Sequence, residues 1–202
     1  MDFHSAKQYI INRLHRDLDR RLIYHDLEHT LRVYRNAERL CKSENVSDYD
    51  TLLVLTAALY HDSGMLITYN EHEEASVKIC KEELPAFGYT PKEIETVSSL
   101  IRKTKIKEKS VCNCVMEHII CDSDLDYLGR DDFFVRSTKL LLEWKLLHIH
   151  NYSLSEWLNI QIDFLEEHEY YTKTAKQLRD KTKQKNTEEI RELHKIRPDQ
   201  NA

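Results

Sequence analysis

Glycine and proline are scarce in this chain, three of each in 202 residues, and a sheet protein with many tight turns draws mainly on those two residues to build them. The scarcity points to helix. No apolar run reaches the roughly 20 residues that a membrane-spanning helix needs. The N-terminal MDFHSAKQYIINRLHRDLDRR also has no apolar signal core. A soluble, cytoplasmic protein without a membrane partner is the expectation. A cationic excess is missing too: 30 Lys and Arg face 35 Asp and Glu, a net charge of -5. That excludes a broad nucleic-acid surface and leaves room for a local phosphate pocket. The five cysteines are odd in number and scattered over helical segments, as befits reduced thiols in a reducing compartment. VCNCVM at 111–116 lacks the second cysteine pair of a structural zinc site.

What is present is helical periodicity, over a length suited to one domain. Ile10, Leu14, Leu18 and Leu22 mark a first segment at spacing four, and Asp26 to Lys42 a second, with Leu27, Leu31, Tyr34 and Ala37 on one stripe. Residues 48–61, DYDTLLVLTAALYH, are apolar nearly all round, which predicts a buried central helix with Gly64 as its C-cap. A helix from His72 to Leu84 follows. TPKE at 90–93 opens another, running to Lys103, with Thr90 as N-cap, Pro91 at the first position and Glu93 completing a capping box. Further helices are expected over 114–128, stopping at Gly129, and from Asp131 to His148. Two more open at SLSE (153–156) and at Glu169, the latter running to Lys195. The expected architecture is a single all-α domain over 1–196 with a polar tail at 197–202. In the segment from Asp131 to His148 the stripe Phe134, Leu140, Leu141, Trp144 and Leu147 reads as core, with a homodimer face as the alternative.

Three short stretches carry chemistry. In YHDLEHT (24–30) His25 and His29 lie one helical turn apart and project from one face. His61-Asp62 closes the most apolar helix, where a buried histidine and carboxylate are costly unless a neighbour or a cation compensates them. CDSDLDYLG (121–129) offers Asp122, Asp124 and Asp126. On a helix the first and last share a face and Asp124 points away, so the three cannot meet one ion. Imidazole and carboxylate together suit a divalent transition metal and are poor for calcium.

H…HD…D in an all-helical chain resembles the HD-domain metal-dependent phosphohydrolase superfamily. YHDLEHT is similar to the YHNxxH signature of cyclic-nucleotide phosphodiesterases and of small bacterial HD phosphohydrolases, and SDLDYLG is similar to the ADL segment bearing that group's last ligand. The resemblance implies an all-α, phosphodiesterase-like HD bundle with His29, His61, Asp62 and Asp124 as metal ligands, Asp124 being preferred to Asp122. It also implies one or two divalent ions, among Mn, Fe, Co, Ni, Zn and Mg. His25 and Asp62 become the catalytic residues, with His25 as general acid toward the leaving alkoxide while metal-activated water attacks phosphorus. Asp26 or Glu28 is expected to hold the His25 tautomer. His72 in NEHEEAS, with Lys103 and Thr104 in LIRKTK, is assigned to a small phosphorylated substrate, a nucleotide or cyclic nucleotide. Arg130 reads as solvated. The chain lacks both the acidic pair that stringent-response hydrolases carry a turn after HD and the GYP motif of the cyclic di-GMP subgroup. A di-iron HD oxygenase is the alternative, needing further histidines for which only His72 and His118 are available. A nucleotide-binding module without turnover is the other.

Overall fold

The computed structural model describes residues 1–105 and 112–196; the tail at 197–202 lies outside the described residues. These contain nine α-helices and no strand: α1 (Phe3–Asp17), α2 (Leu27–Ser43), α3 (Asp48–Tyr60), α4 (His72–Glu83), α5 (Pro91–Arg102), α6 (Val115–Asp124), α7 (Phe133–Leu146), α8 (Leu154–Glu167) and α9 (Lys173–Lys195). The protein is all-α. Both capping boxes form, Thr90 with Glu93 and Ser153 with Glu156, because each hydroxyl accepts an otherwise orphaned N–H while the glutamate returns to the cap.

α3 is the axle. Leu53 to Tyr60 are all buried, and α1, α2, α5 and α6 pack around them. Each such side chain contributes about 1.5–3 kcal/mol by leaving water, which explains why a helix with no polar face is stable only at the centre. A second apolar cluster joins Tyr24, Tyr127, Leu128, Phe133, Leu158, Leu165 and Ile190. Phe134 and Leu140 pack against it and Leu141 is buried, so much of the α7 stripe is core.

Three boundaries differ from the periodicity. α1 stops at Asp17 and Leu18 is extended, so Leu22 is buried from a loop. The segment expected as one helix over 114–128 breaks after Asp124, and Asp126–Gly129 forms a 3₁₀ turn. Gly64 is not a left-handed cap. It sits in a 3₁₀ turn at Ser63–Leu66, where a Cβ would lie 1.9 Å from the His72 carbonyl oxygen. Only glycine lets that turn press against the start of α4. Gly88, at φ +73°, is the glycine in the left-handed region.

Candidate metal centre

The site lies where α2, α3 and α6 meet. Asp26 is the N-cap of α2 and accepts from the His29 backbone N–H at 2.7 Å, which settles where the first turn places His29. His61 follows the last turn of α3 and hydrogen bonds through Nδ1 with the Ala58 carbonyl at 2.9 Å. An Nδ1–H donated there leaves the Nε2 lone pair for a metal. Asp124 closes α6. Asp122 and Asp126 point the other way, toward α9. Asp122 accepts from Tyr171 N, Thr172 N and Thr172 Oγ1 at 2.7–2.8 Å, and Asp126 from Arg179.

Four donor atoms gather here: those of His29, His61 and Asp124 lie within 4.8 Å of one another, and Asp62 Oδ2 lies against both histidines. His29 Nε2 stands 3.3 Å from His61 Nε2, 3.1 Å from Asp124 Oδ1 and 3.4 Å from Asp62 Oδ2. His61 Nε2 stands 3.1 Å from Asp62 Oδ2 and 3.5 Å from Asp124 Oδ1. Donors about 2.1 Å from one ion are separated by about this much. Asp62 Oδ2 is buried with no hydrogen-bond partner among the described residues, while Oδ1 faces His72 Nε2 at 3.3 Å. One oxygen is thus held and the other presented. Burial works against charge on His29, but Asp124 and Asp62 prevail and raise it to about 9. Against the same burial, Asp62 and Asp124 raise His61 well above its ordinary value, and the histidines hold both carboxylates below theirs. Two carboxylates that favour positive charge, beside two imidazoles whose neutral form offers a lone pair, fit a divalent cation.

His25 is placed beside this quartet and held from α7. Its Nδ1 lies 2.5 Å from Oε1 of Glu143, whose Oε2 accepts from the backbone N–H of Tyr24 at 2.7 Å and of His25 at 3.0 Å. The Tyr69 hydroxyl donates to the same carboxylate at 3.2 Å and receives the Trp144 indole N–H at 2.6 Å. Asp26 and Glu28 do not orient His25: the first caps α2 and the second pairs with Arg32 and Arg136. Glu143, Tyr69 and Trp144 are the residues that sequence reasoning missed. Their one signal was a glutamate interrupting the apolar run LLLEW.

A cavity of about 660 Å³ opens on the quartet, lined by His25, Asp62, Tyr69, His72, Thr104, Lys105, Asp124, Trp144 and others. Of the residues expected to meet substrate, His72 and Thr104 line it. Lys103 does not; its Nζ lies 3.5 Å from Glu117. Lys105 lines the wall instead, 2.9 Å from Glu71. His118 is elsewhere, stacked on Tyr171 at 5.0 Å.

Residues 26–124 match the family model of the HD domain. The chain is an HD-domain protein. Its HD segment runs from the cap of α2 to the last residue of α6, the limits within which the four converging side chains fall. A Clostridium beijerinckii protein is 33% identical over 82 residues, 39% of this chain and 52% of the relative, so the match spans about half of that protein's length. Among solved structures, a predicted HD superfamily hydrolase from an uncultured Thermotogales bacterium has 19% identity and TM-score 0.62, covering 94% of this chain and 90% of that one. Bacillus subtilis YpgQ, solved in complex with ADP, has 19% identity and TM-score 0.65 over 98% of both chains. A Lactobacillus plantarum protein has 17% identity and TM-score 0.69 over 95% of this chain and 94% of its own. At such identities the likeness is one of fold.

Proposed function

We propose that this HD domain is a metal-dependent phosphohydrolase that cleaves a phosphoester of a nucleotide or cyclic nucleotide. The observation that carries the reading is the convergence of His29, His61, Asp62 and Asp124 around an unpartnered carboxylate oxygen, next to a histidine that is not one of the four. A divalent cation bound by these residues supplies Lewis acidity toward a phosphoryl oxygen and acidifies water. The other parts of the reaction fall to the chain. His25, with Nδ1 held by Glu143, has Nε2 as the ring position that carries a transferable proton to the leaving alkoxide. The Tyr69–Glu143 contact locks that geometry. Tyr24, Tyr69, Trp144 and Trp157 give the cavity aromatic walls, suited to the flat face of a base. The ADP in the complex of Bacillus subtilis YpgQ supports a nucleotide.

The di-iron reading gains nothing, since His118 lies against Tyr171 and the Cys112 carbonyl. The test is metal analysis together with Mn-dependent release from bis-p-nitrophenyl phosphate, on wild type and His61→Ala, followed by a screen of nucleotides. Bound metal and hydrolysis in the wild type, both lost in the variant, are expected. A wild type that binds no metal and releases no product with Mn would sink the reading.

A further inference from the structure

Beside the aromatic cavity, across the shared walls of Tyr24, Asp124 and Tyr127, α2 carries arginines that the hydrolytic reading does not use. Arg32 and Arg39 come from α2, Arg130 follows the 3₁₀ turn, Arg136 sits on α7 and Arg179 on α9. Three guanidiniums converge on the single carboxylate of Asp126. Arg179 grips both oxygens, Nε at 2.6 Å and Nη2 at 3.2 Å. Arg39, whose Nη2 also donates to Asn36 Oδ1, and Arg130, whose Nε donates to Asp132 Oδ1 at 3.0 Å, then stand 3.5 and 3.4 Å from oxygens that Arg179 already engages. Around them, five guanidiniums face the three carboxylates of Glu28, Asp126 and Asp132, an excess of two positive charges. The excess stands out on a chain of net charge -5.

Beneath the cluster a cavity of about 20 Å³ is lined by Arg32, Ser123, Asp126 and Arg130 and reaches His29 and Asp124. Two polar atoms of that lining lack a hydrogen-bond partner among the described residues. One is Arg32 Nη1, whose nearest carboxylates stand at 3.6 and 3.9 Å; the other is Oγ of Ser123, a residue only 2% exposed. Native structures leave few such groups unsatisfied. Unmet donors beside surplus positive charge are the chemistry of an anion site.

We propose that this cluster binds an oxyanion, with Arg39 and Arg130 as clamps and Arg32 and Ser123 behind them, taking a phosphate group that is either free or carried by a nucleotide. The clamp side chains are 43% and 40% exposed, so they can close on a tetrahedral anion while Asp126 stays with Arg179. The cavity has room for a water and not for phosphate; the anion sits at its mouth, and one water relays Ser123 and Arg32 to it. Burial holds the Arg39 guanidinium below its ordinary value; Asp126 opposes this, and Arg179 and Arg130 reinforce it. An arriving anion relieves that repulsion. None of these four side chains belongs to the metal quartet, whose His29 and Asp124 border the same cavity, so the site is tested on the metal-free protein and apart from hydrolysis.

Isothermal titration calorimetry of the full chain, stripped of metal by chelation, reads the site with inorganic phosphate as probe. Saturable binding that weakens with added NaCl is expected. It should weaken at least about tenfold in Arg39→Gln and in Arg130→Gln, and stay within about twofold of wild type in His61→Ala. Arg39→Lys, which keeps the charge without the fork, recovers part of the loss. Titration with ADP separates the sources. Equal affinity for phosphate and ADP, both lost in Arg39→Gln, supports a site for the free anion; tighter ADP binding lost in the same variant supports one that reads a nucleotide's phosphate. No saturable phosphate binding to the metal-free wild type overturns the proposal, a result that does not depend on any variant folding. So does binding that is indifferent to both arginine substitutions. Phosphate binding retained in a His61→Ala protein that has lost metal-dependent hydrolysis separates this site from the quartet.

Discussion

Glu143 has no solvent exposure, yet its two oxygens receive Tyr24 N, His25 N, His25 Nδ1 and the Tyr69 hydroxyl. A buried carboxylate is tolerated when its lone pairs are filled in this way. Replacing it with glutamine keeps the shape and one acceptor but sets an amide NH2 against two of these four donors. Glu143→Gln is expected to lower kcat by about 10- to 100-fold with KM and bound metal unchanged, and steady-state kinetics beside metal analysis checks this. A residue that merely supported the fold would leave the kcat–pH profile unmoved, whereas mispositioning His25 reshapes it. His168 gives a different test. Burial, reinforced by Lys183, pushes its ring down to about 3 from an ordinary 6.5. The unfolded chain therefore binds one more proton than the folded one between those values. The contribution to stability is complete above about pH 6.5 and is lost as pH falls toward 3, with a slope of up to about 1.4 kcal/mol per pH unit. Urea melts at pH 7, 5 and 4 should show that slope reduced in His168→Gln.

At the scale of elements, α6 is a divider. Its alternating aspartates send Asp124 to the quartet and Asp122 to the start of α9, where Thr172 is the N-cap. The period of the helix made that opposition legible in the sequence. The break after Asp124 was not legible, because it follows from Tyr127 and Leu128 turning into the second apolar cluster. The two aspartates should therefore fail differently. Asp122→Ala removes three hydrogen bonds at the α9 cap and is expected to cost about 2–3 kcal/mol while leaving metal content intact. Asp124→Ala is expected to abolish metal binding, and thermal melts paired with metal analysis distinguish them. The 3₁₀ turn at Ser63–Leu66 shows a similar limit. Gly64 looked like a cap, and what the position demands is the close approach of His72, a contact across the chain that no local pattern encodes.

For the molecule as a whole, two apolar clusters are joined at a seam lined by ionisable groups. Tyr24 and Tyr127 belong to the second cluster and line the cavity with the quartet residues Asp62 and Asp124. A ligand at that seam stabilises both sides. Metal at about 100 times its Kd adds about 2.7 kcal/mol to unfolding, which for a chain of this size raises Tm by roughly 5–10 °C. Scanning calorimetry with Mn and then EDTA should show the rise and its reversal, and His61→Ala should show neither.

Helix content, both capping boxes, the burial of α3 and the motifs YHDLEHT, HD and DSDLD were determined by the sequence alone, since each rests on spacing within one segment. The tertiary structure decided what crosses segments: that Glu143 of α7 orients His25, that Lys105 rather than Lys103 lines the cavity, and that Asp126 is shared by three arginines from three parts of the chain. Local periodicity says which way a side chain faces along its own helix. Which partner it meets depends on how separate helices pack, and that is set by burial summed over the whole chain.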